Sequence, residues 1–210
     1  MRKLIVTIAA LVVLALLAAL GINLFRNSGP RDRVKGDDGE KIIVEELSWY
    51  IHGDKQNGRI FKPTDENGNC PDSLGTRPVA MFFHDPMKSE MPESLLKSLS
   101  SMGVIGYSAS CPEKSKDIET LIKRMGRESF ATEDLLFVMA DSYSADAVVK
   151  AIIKVGHKTA GLILFEPALQ GKSGATVAQH SNEILSISSE QMPQKMSLVE
   201  DYMEVRGAFK

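Results

Sequence analysis

The residues best suited to chemistry lie in Ala140-Asp141-Ser142-Tyr143-Ser144. An apolar run over 135–139 stops there, and an amphipathic pattern through Ala145, Val148, Val149 and Ile152 begins at once. Ser142 therefore stands at a sharp turn from a buried strand into a helix. Such a turn presents a hydroxyl to a substrate, and the free N–H groups of the helix start can receive a developing negative charge. The chemistry implied is nucleophilic attack on a carbonyl. The plainer alternative is that Asp141, Ser142 or Ser144 caps the helix, since these residue types are favoured at helix starts.

The four histidines, His52, His84, His157 and His180, stand singly, and no Cys/His cluster has zinc-ligand spacing. No cofactor is implied. With 25 basic and 27 acidic residues the net charge is −2, which gives no reason to expect a nucleic-acid partner, since that would need a basic face. Cys70 and Cys111 either pair outside the cytoplasm or are two unrelated thiols.

The elements around Ser142 form a regular series. Segments 42–51 and 60–62 read as an antiparallel hairpin joined through 53–58, whose Asn57-Gly58 pair is a strong turn signal, and 63–78 as a loop. Apolar strands are expected at 79–83, 104–107, 135–139 and 161–165. Amphipathic helices are expected at 92–102, 117–125 and 145–155, each followed by glycine. Strands apolar throughout, alternating with single helices, predict an α/β fold: a mostly parallel sheet with helices on both faces. Ligands bind such sheets beyond the carboxyl ends of the strands. Those ends carry His84-Asp85-Pro86, Ser108 to Cys111, Asp141-Ser142-Tyr143 and Glu166-Pro167.

From Ile42 to Ala168 this order resembles the α/β-hydrolase family. The resemblance rests on a hairpin ending in Lys62-Pro63, a strand ending in His84, the strand-Ser142-helix elbow, and the strand leading into Phe165-Glu166-Pro167-Ala168. It implies that Ser142 is the nucleophile and that Tyr143 N–H is one oxyanion donor. The loop after His84 would supply the other donor. Pro86 has no N–H to give, so Met87 is the expected source. His84 would order that loop, and Asp85 and Asp141 join it among the substrate-binding residues. The G-x-S-x-G elbow has lost both glycines, to Ala140 and Ser144, which implies backbone strain at the turn. In the family's chain order the acid and base fall to Glu166 and His180. The substrate implied is a small carboxylic ester, thioester or amide. A second implication is a hydrolase-like binding module without catalysis, because the later strands that carry the family's acid and histidine are not evident after Ala168.

Beyond Ala168 the reading is a polar stretch over 170–181, a strand over 184–188, and a closing helix over 197–206 with a capping box at Ser197 and Glu200. The strand at 161–165 then needs cover, from another protein chain or from 184–188 and the last helix. At the other end, Met1-Arg2-Lys3 precedes an uncharged run that starts at Leu4 and closes at Phe25. That run has the length of a membrane-spanning helix, which needs roughly 20 apolar residues. Segment 1–26 is therefore expected to be a membrane anchor or signal, 27–40 a flexible linker, and 41–210 the hydrolase-like domain, outside the cytoplasm and incomplete at its C-terminus.

Overall fold

The computed structural model describes residues 31–35, 41–64, 77–155, 159–169, 171–179 and 183–209. The expected anchor, Cys70, His157 and His180 lie outside these residues. Among the described residues, no helix is long and apolar enough to cross a membrane.

Eight strands form one sheet: β1 (Arg31–Lys35), β2 (Lys41–Ile51), β3 (Asp54–Pro63), β4 (Arg77–His84), β5 (Ile105–Ser110), β6 (Ala131–Ala140), β7 (Gly161–Phe165) and β8 (Ile184–Ile187). Their spatial order is β1-β2-β3-β5-β4-β6-β7-β8. The pairings from β1 to β5 are antiparallel, and those from β5 through β4, β6 and β7 to β8 are parallel.

The helices are α1 (Glu90–Ser101), α2 (Ser115–Met125), α3 (Ala145–Val155), α4 (Gly171–Gln179) and α5 (Lys195–Val205), with a 3-10 turn over Ser189–Gln194. Ile118, Leu121 and Ile122 of α2 and Val148 and Val149 of α3 bury against Val79, Met81, Leu136 and Val138 on one face. Leu95, Leu96 and Leu99 of α1 and Val199 and Met203 of α5 bury against Ala80, Phe82, Phe137 and Met139 on the other. The central strands alternate between two apolar cores, so 79–83, 135–140 and 161–165 are apolar throughout.

Because α1 follows β4 on one face and α3 follows β6 on the other, the adjacent carboxyl ends of β4 and β6 frame a crevice. This is the topological switch point at which open α/β sheets bind ligands.

Four expectations change and one open alternative is resolved. The hairpin turns at His52-Gly53, with φ of 49° and 97°, and not at Asn57-Gly58. Two successive left-handed residues suit a tight hairpin. Gly58 lies inside β3 because the Tyr107 ring packs directly on its Cα, where a side chain would collide. Arg31–Lys35, within the expected linker, pairs with β2. The polar stretch contains α4, whose Ser173 is buried and hydrogen-bonds Asp146 of α3. The capping box falls at Ser188 and Gln191, ahead of the helix expected to carry it. Finally, β8 pairs with β7 from Leu162↔Ile184 to Phe165↔Ile187, so the cover for β7 comes from this chain. Tyr202 of α5 pins that pair: its hydroxyl donates to the Glu183 carbonyl and accepts from Leu162 N–H at 3.3 Å.

Candidate functional site

At the carboxyl end of β6, Ala140 is fully buried and Asp141 is the last buried residue before the chain surfaces at Ser142 and Tyr143. Ser144 then turns inward and is again fully buried. The Asp141 carbonyl accepts from Ala145 N–H at 2.9 Å, and its Oδ1 accepts from Ser144 N–H at 2.9 Å and from Ser144 Oγ at 2.7 Å. Asp141 thus caps the turn over 142–144 that leads into α3, with its carboxylate on Ser144 N–H and its carbonyl on the first N–H of the helix. Ser144 Oγ also lies 2.6 Å from the Phe83 carbonyl, which ties the cap to the end of β4.

The second oxygen of the same carboxylate reaches across the switch point, where Asp85 N–H donates to Asp141 Oδ2 at 2.7 Å. The loop after β4 closes around this bond. Met87 N–H donates to Asp85 Oδ1 at 2.9 Å, and Lys88 N–H to the Asp85 carbonyl at 2.9 Å. His84 is 5% exposed and its Nδ1 donates to the Asp85 carbonyl at 2.7 Å, which leaves Nε2 as the acceptor in the neutral ring. The His84 carbonyl in turn accepts from Cys111 N–H at 2.8 Å.

Cys111 was not among the sequence-derived site residues, yet it belongs to this cluster. Burial, with the negative charge of Asp141 added to it, pushes its thiol up to about 12. The thiol therefore stays protonated near neutral pH and is not a nucleophile. Its position at the end of β5 was the available signal, but its chemistry depends on Asp141, a neighbour only in space.

The structure separates the expected site residues into three groups. Ser142, Tyr143, His84, Asp85, Met87 and Asp141 gather at the ends of β4 and β6. Glu166 is exposed at the end of β7, with φ of 47° and its N–H donating to the Ile187 carbonyl at 2.7 Å. His180 lies outside the described residues. Ser142 Oγ makes no hydrogen bond to any described residue.

Two expectations about the turn are corrected. Among the described non-glycine residues only His52 and Glu166 have positive φ, so Ser142 occupies ordinary backbone. The loss of both glycines carries no strain because the turn is a normal capped helix start. Nor is Met87 N–H an open oxyanion donor, since the Asp85 side chain already takes it. Among the described residues no cluster of three His, Cys, Asp or Glu could hold a metal ion.

No protein-family model and no curated protein matches the sequence. Solved structures do match in fold. A protein assigned as a dienelactone hydrolase from Klebsiella pneumoniae superposes with a TM-score of 0.53 at 9% identity, over 80% of this chain and 82% of that one. EstE1, a thermophilic carboxylesterase cloned from a metagenomic library, gives 0.50 at 12% identity, over 70% of this chain and 51% of its own. A vibralactone cyclase gives 0.50 at 17% identity, over 62% of this chain and 44% of its own. The chain thus spans about half the length of the carboxylesterase it matches. At these identities the likeness is one of fold.

Proposed function

Proceeding from the α/β-hydrolase fold, we propose that this chain is a hydrolase-like binding module whose catalytic edge is held shut by its own carboxylate. The observation that carries this reading is the 2.7 Å bond from Asp85 N–H to Asp141 Oδ2. An oxyanion hole works only if its donors are free and aimed at the place where negative charge develops. Here the loop after His84 spends its donors on Asp141 and Asp85, and Asp141 adds a fixed negative charge beside the same place. Losing one such donor costs about 3 kcal/mol of transition-state stabilisation, on the order of a hundred-fold in rate. A serine without a positioned base is in addition a poor nucleophile.

A fluorophosphonate probe tests this on the folded chain. The expected result is no labelling, with p-nitrophenyl acetate hydrolysed at the buffer rate. Labelling that disappears in Ser142→Ala would overturn the proposal.

That outcome would favour a second reading, a serine hydrolase for carboxylic esters, thioesters or amides. In it Ser142 attacks, Tyr143 N–H receives the oxyanion, and Glu166 and His180 serve as acid and base. It is supported by the exposure of Ser142 at the start of α3 and by the esterases among the structural neighbours. Both readings include a membrane anchor from Leu4 to Phe25 with the domain outside the cytoplasm. The uncharged run between Lys3 and Arg26 supports this. Carbonate-resistant sedimentation with membranes, lost when residues 2–26 are deleted, is the expected result. Release of the full chain by carbonate would argue against the anchor.

A further inference from the structure

On the sheet face covered by α1, a cavity of about 320 Å³ opens at the amino end of that helix, over the carboxyl ends of β4 and β5. Sheet register explains its floor. Glu46 of β2 pairs with Arg59 of β3, Arg59 with Ser108 of β5, and Ser108 with Phe82 of β4, so Glu46, Arg59 and Ser108 form one row across the strands. His84 and Ser110, the next pair along β4 and β5, stand beside that row.

Two buried groups in this cavity have polar atoms without partners. Ser108 is 4% exposed and its hydroxyl makes no hydrogen bond to a described residue. His84 is 5% exposed and its side chain bonds to the described residues only through Nδ1, leaving Nε2 open among them. Neither atom is sealed within protein. Among the described residues the enclosed side-chain atom without a partner is the Tyr107 hydroxyl, on the opposite face. Ser108 Oγ and His84 Nε2 therefore face the cavity, and buried polar atoms left open call for an occupant.

We propose that this cavity binds a small neutral polyhydroxylated ligand, of the monosaccharide or polyol class. Its volume lies at the small end of ligand pockets, about 300–1,000 Å³. Its charges cancel: Lys55 and Arg59 face Glu46 and Glu93, with Arg59 and Glu93 already paired at 2.5 Å. The carboxylates disfavour an anion and the cations disfavour a cation. Among the described residues no Phe, Tyr or Trp ring lines the cavity, and the one ring that does, the His84 imidazole, is held by its Nδ1, so a planar base or ring system finds little stacking surface. What remains is an interleaved set of donors and acceptors. Asn57 Oδ1 accepts from Ser48 at 2.9 Å, and its NH2 group makes no hydrogen bond to a described residue. Ser108 and Ser110 can donate or accept, and His84 Nε2 and Glu46 accept. Hydroxyl groups, each at once donor and acceptor, match such a set. The inference is independent of whether Ser142 reacts.

Saturation-transfer NMR and calorimetry on the purified full chain provide the test, with glucose, galactose, mannose and myo-inositol as neutral probes and phosphate, acetate and glycine as charged ones. The expected result is saturable binding of at least one neutral probe. It should weaken by about ten-fold or more in Ser108→Val and in Glu46→Ala, as loss of a pocket hydrogen bond implies, and persist in a control substitution at exposed Glu204. If Ser108→Val fails to fold, judged by circular dichroism, the exposed Glu46 decides alone. Absence of binding by every neutral probe, tighter binding of a charged one, or binding that the folded pocket variants leave intact would overturn the proposal.

Discussion

Asp85 N–H and the Asp141 carboxylate, 56 residues apart in sequence, meet at 2.7 Å and join the ends of β4 and β6. The other carboxylate oxygen holds Ser144 N–H and Ser144 Oγ. One side chain thus caps the turn into α3 and staples two parallel strands.

Removing it should be felt in stability. Asp141→Ala loses the cap and leaves buried donors unpaired, so the expected cost is about 2 kcal/mol in urea unfolding. Asp141→Asn, which retains one acceptor oxygen, should cost less. An Ala variant within experimental error of the parent would mean that the staple carries no load.

Cys111 should report the same carboxylate through reactivity. Its thiol is pushed up to about 12 by burial and by Asp141. In a Cys70→Ser background, Ellman's reagent at pH 8 should react with the folded chain on the order of a hundred-fold more slowly than in urea. Asp141→Asn removes the negative charge, lowers the thiol pKa and should speed the folded reaction. The sign for stability follows. The unfolded thiol ionises from about pH 8.5 while the folded one keeps its proton, so this contribution falls as pH rises from there towards 12.

Tyr107 is fully buried with its hydroxyl unpaired, and burial raises that hydroxyl's pKa far above the usual range. Tyr107→Phe should therefore raise stability by about 1 kcal/mol, because an unsatisfied polar atom is removed without loss of shape. Gly58→Ala should destabilise by about 1–3 kcal/mol through collision with the same ring. A destabilised Tyr107→Phe variant would show that the hydroxyl has a partner in solution.

Hydrogen exchange should separate β7 from β8. Leu162 to Leu164 are flanked by β6 and β8, so the amides of β7 should exchange slowly, while those of β8, at the end of the sheet, should exchange faster. Fast exchange across β7 would mean that β8 is not docked.

Periodicity made the central elements legible because burial on two faces writes itself into consecutive residues. Val79, Phe82, Val138 and Ile163 are apolar since each strand lies between two helical layers. The elements missed were those whose sequence carries little burial. In α4 only Ser173 is buried, and β1 is the polar segment RDRVK. The hairpin turn is not legible because Asn57-Gly58 is a strong local signal for a turn, while the packing of Tyr107 on Gly58 is a contact between segments far apart in sequence.

The sequence by itself determined the fold class, the order of the central strands and helices, and which residues arrive at the carboxyl edge, because these follow from local patterns of apolar and turn residues. Only the tertiary structure decided what those residues do there. Whether Asp85 N–H is an open donor depends on Asp141, whether Cys111 ionises depends on the same carboxylate, and whether Ser108 is satisfied depends on four strands meeting in register. A hydrogen bond or a charge acts through space over a few ångströms, and sequence separation carries no record of which distant groups the fold brings within that reach.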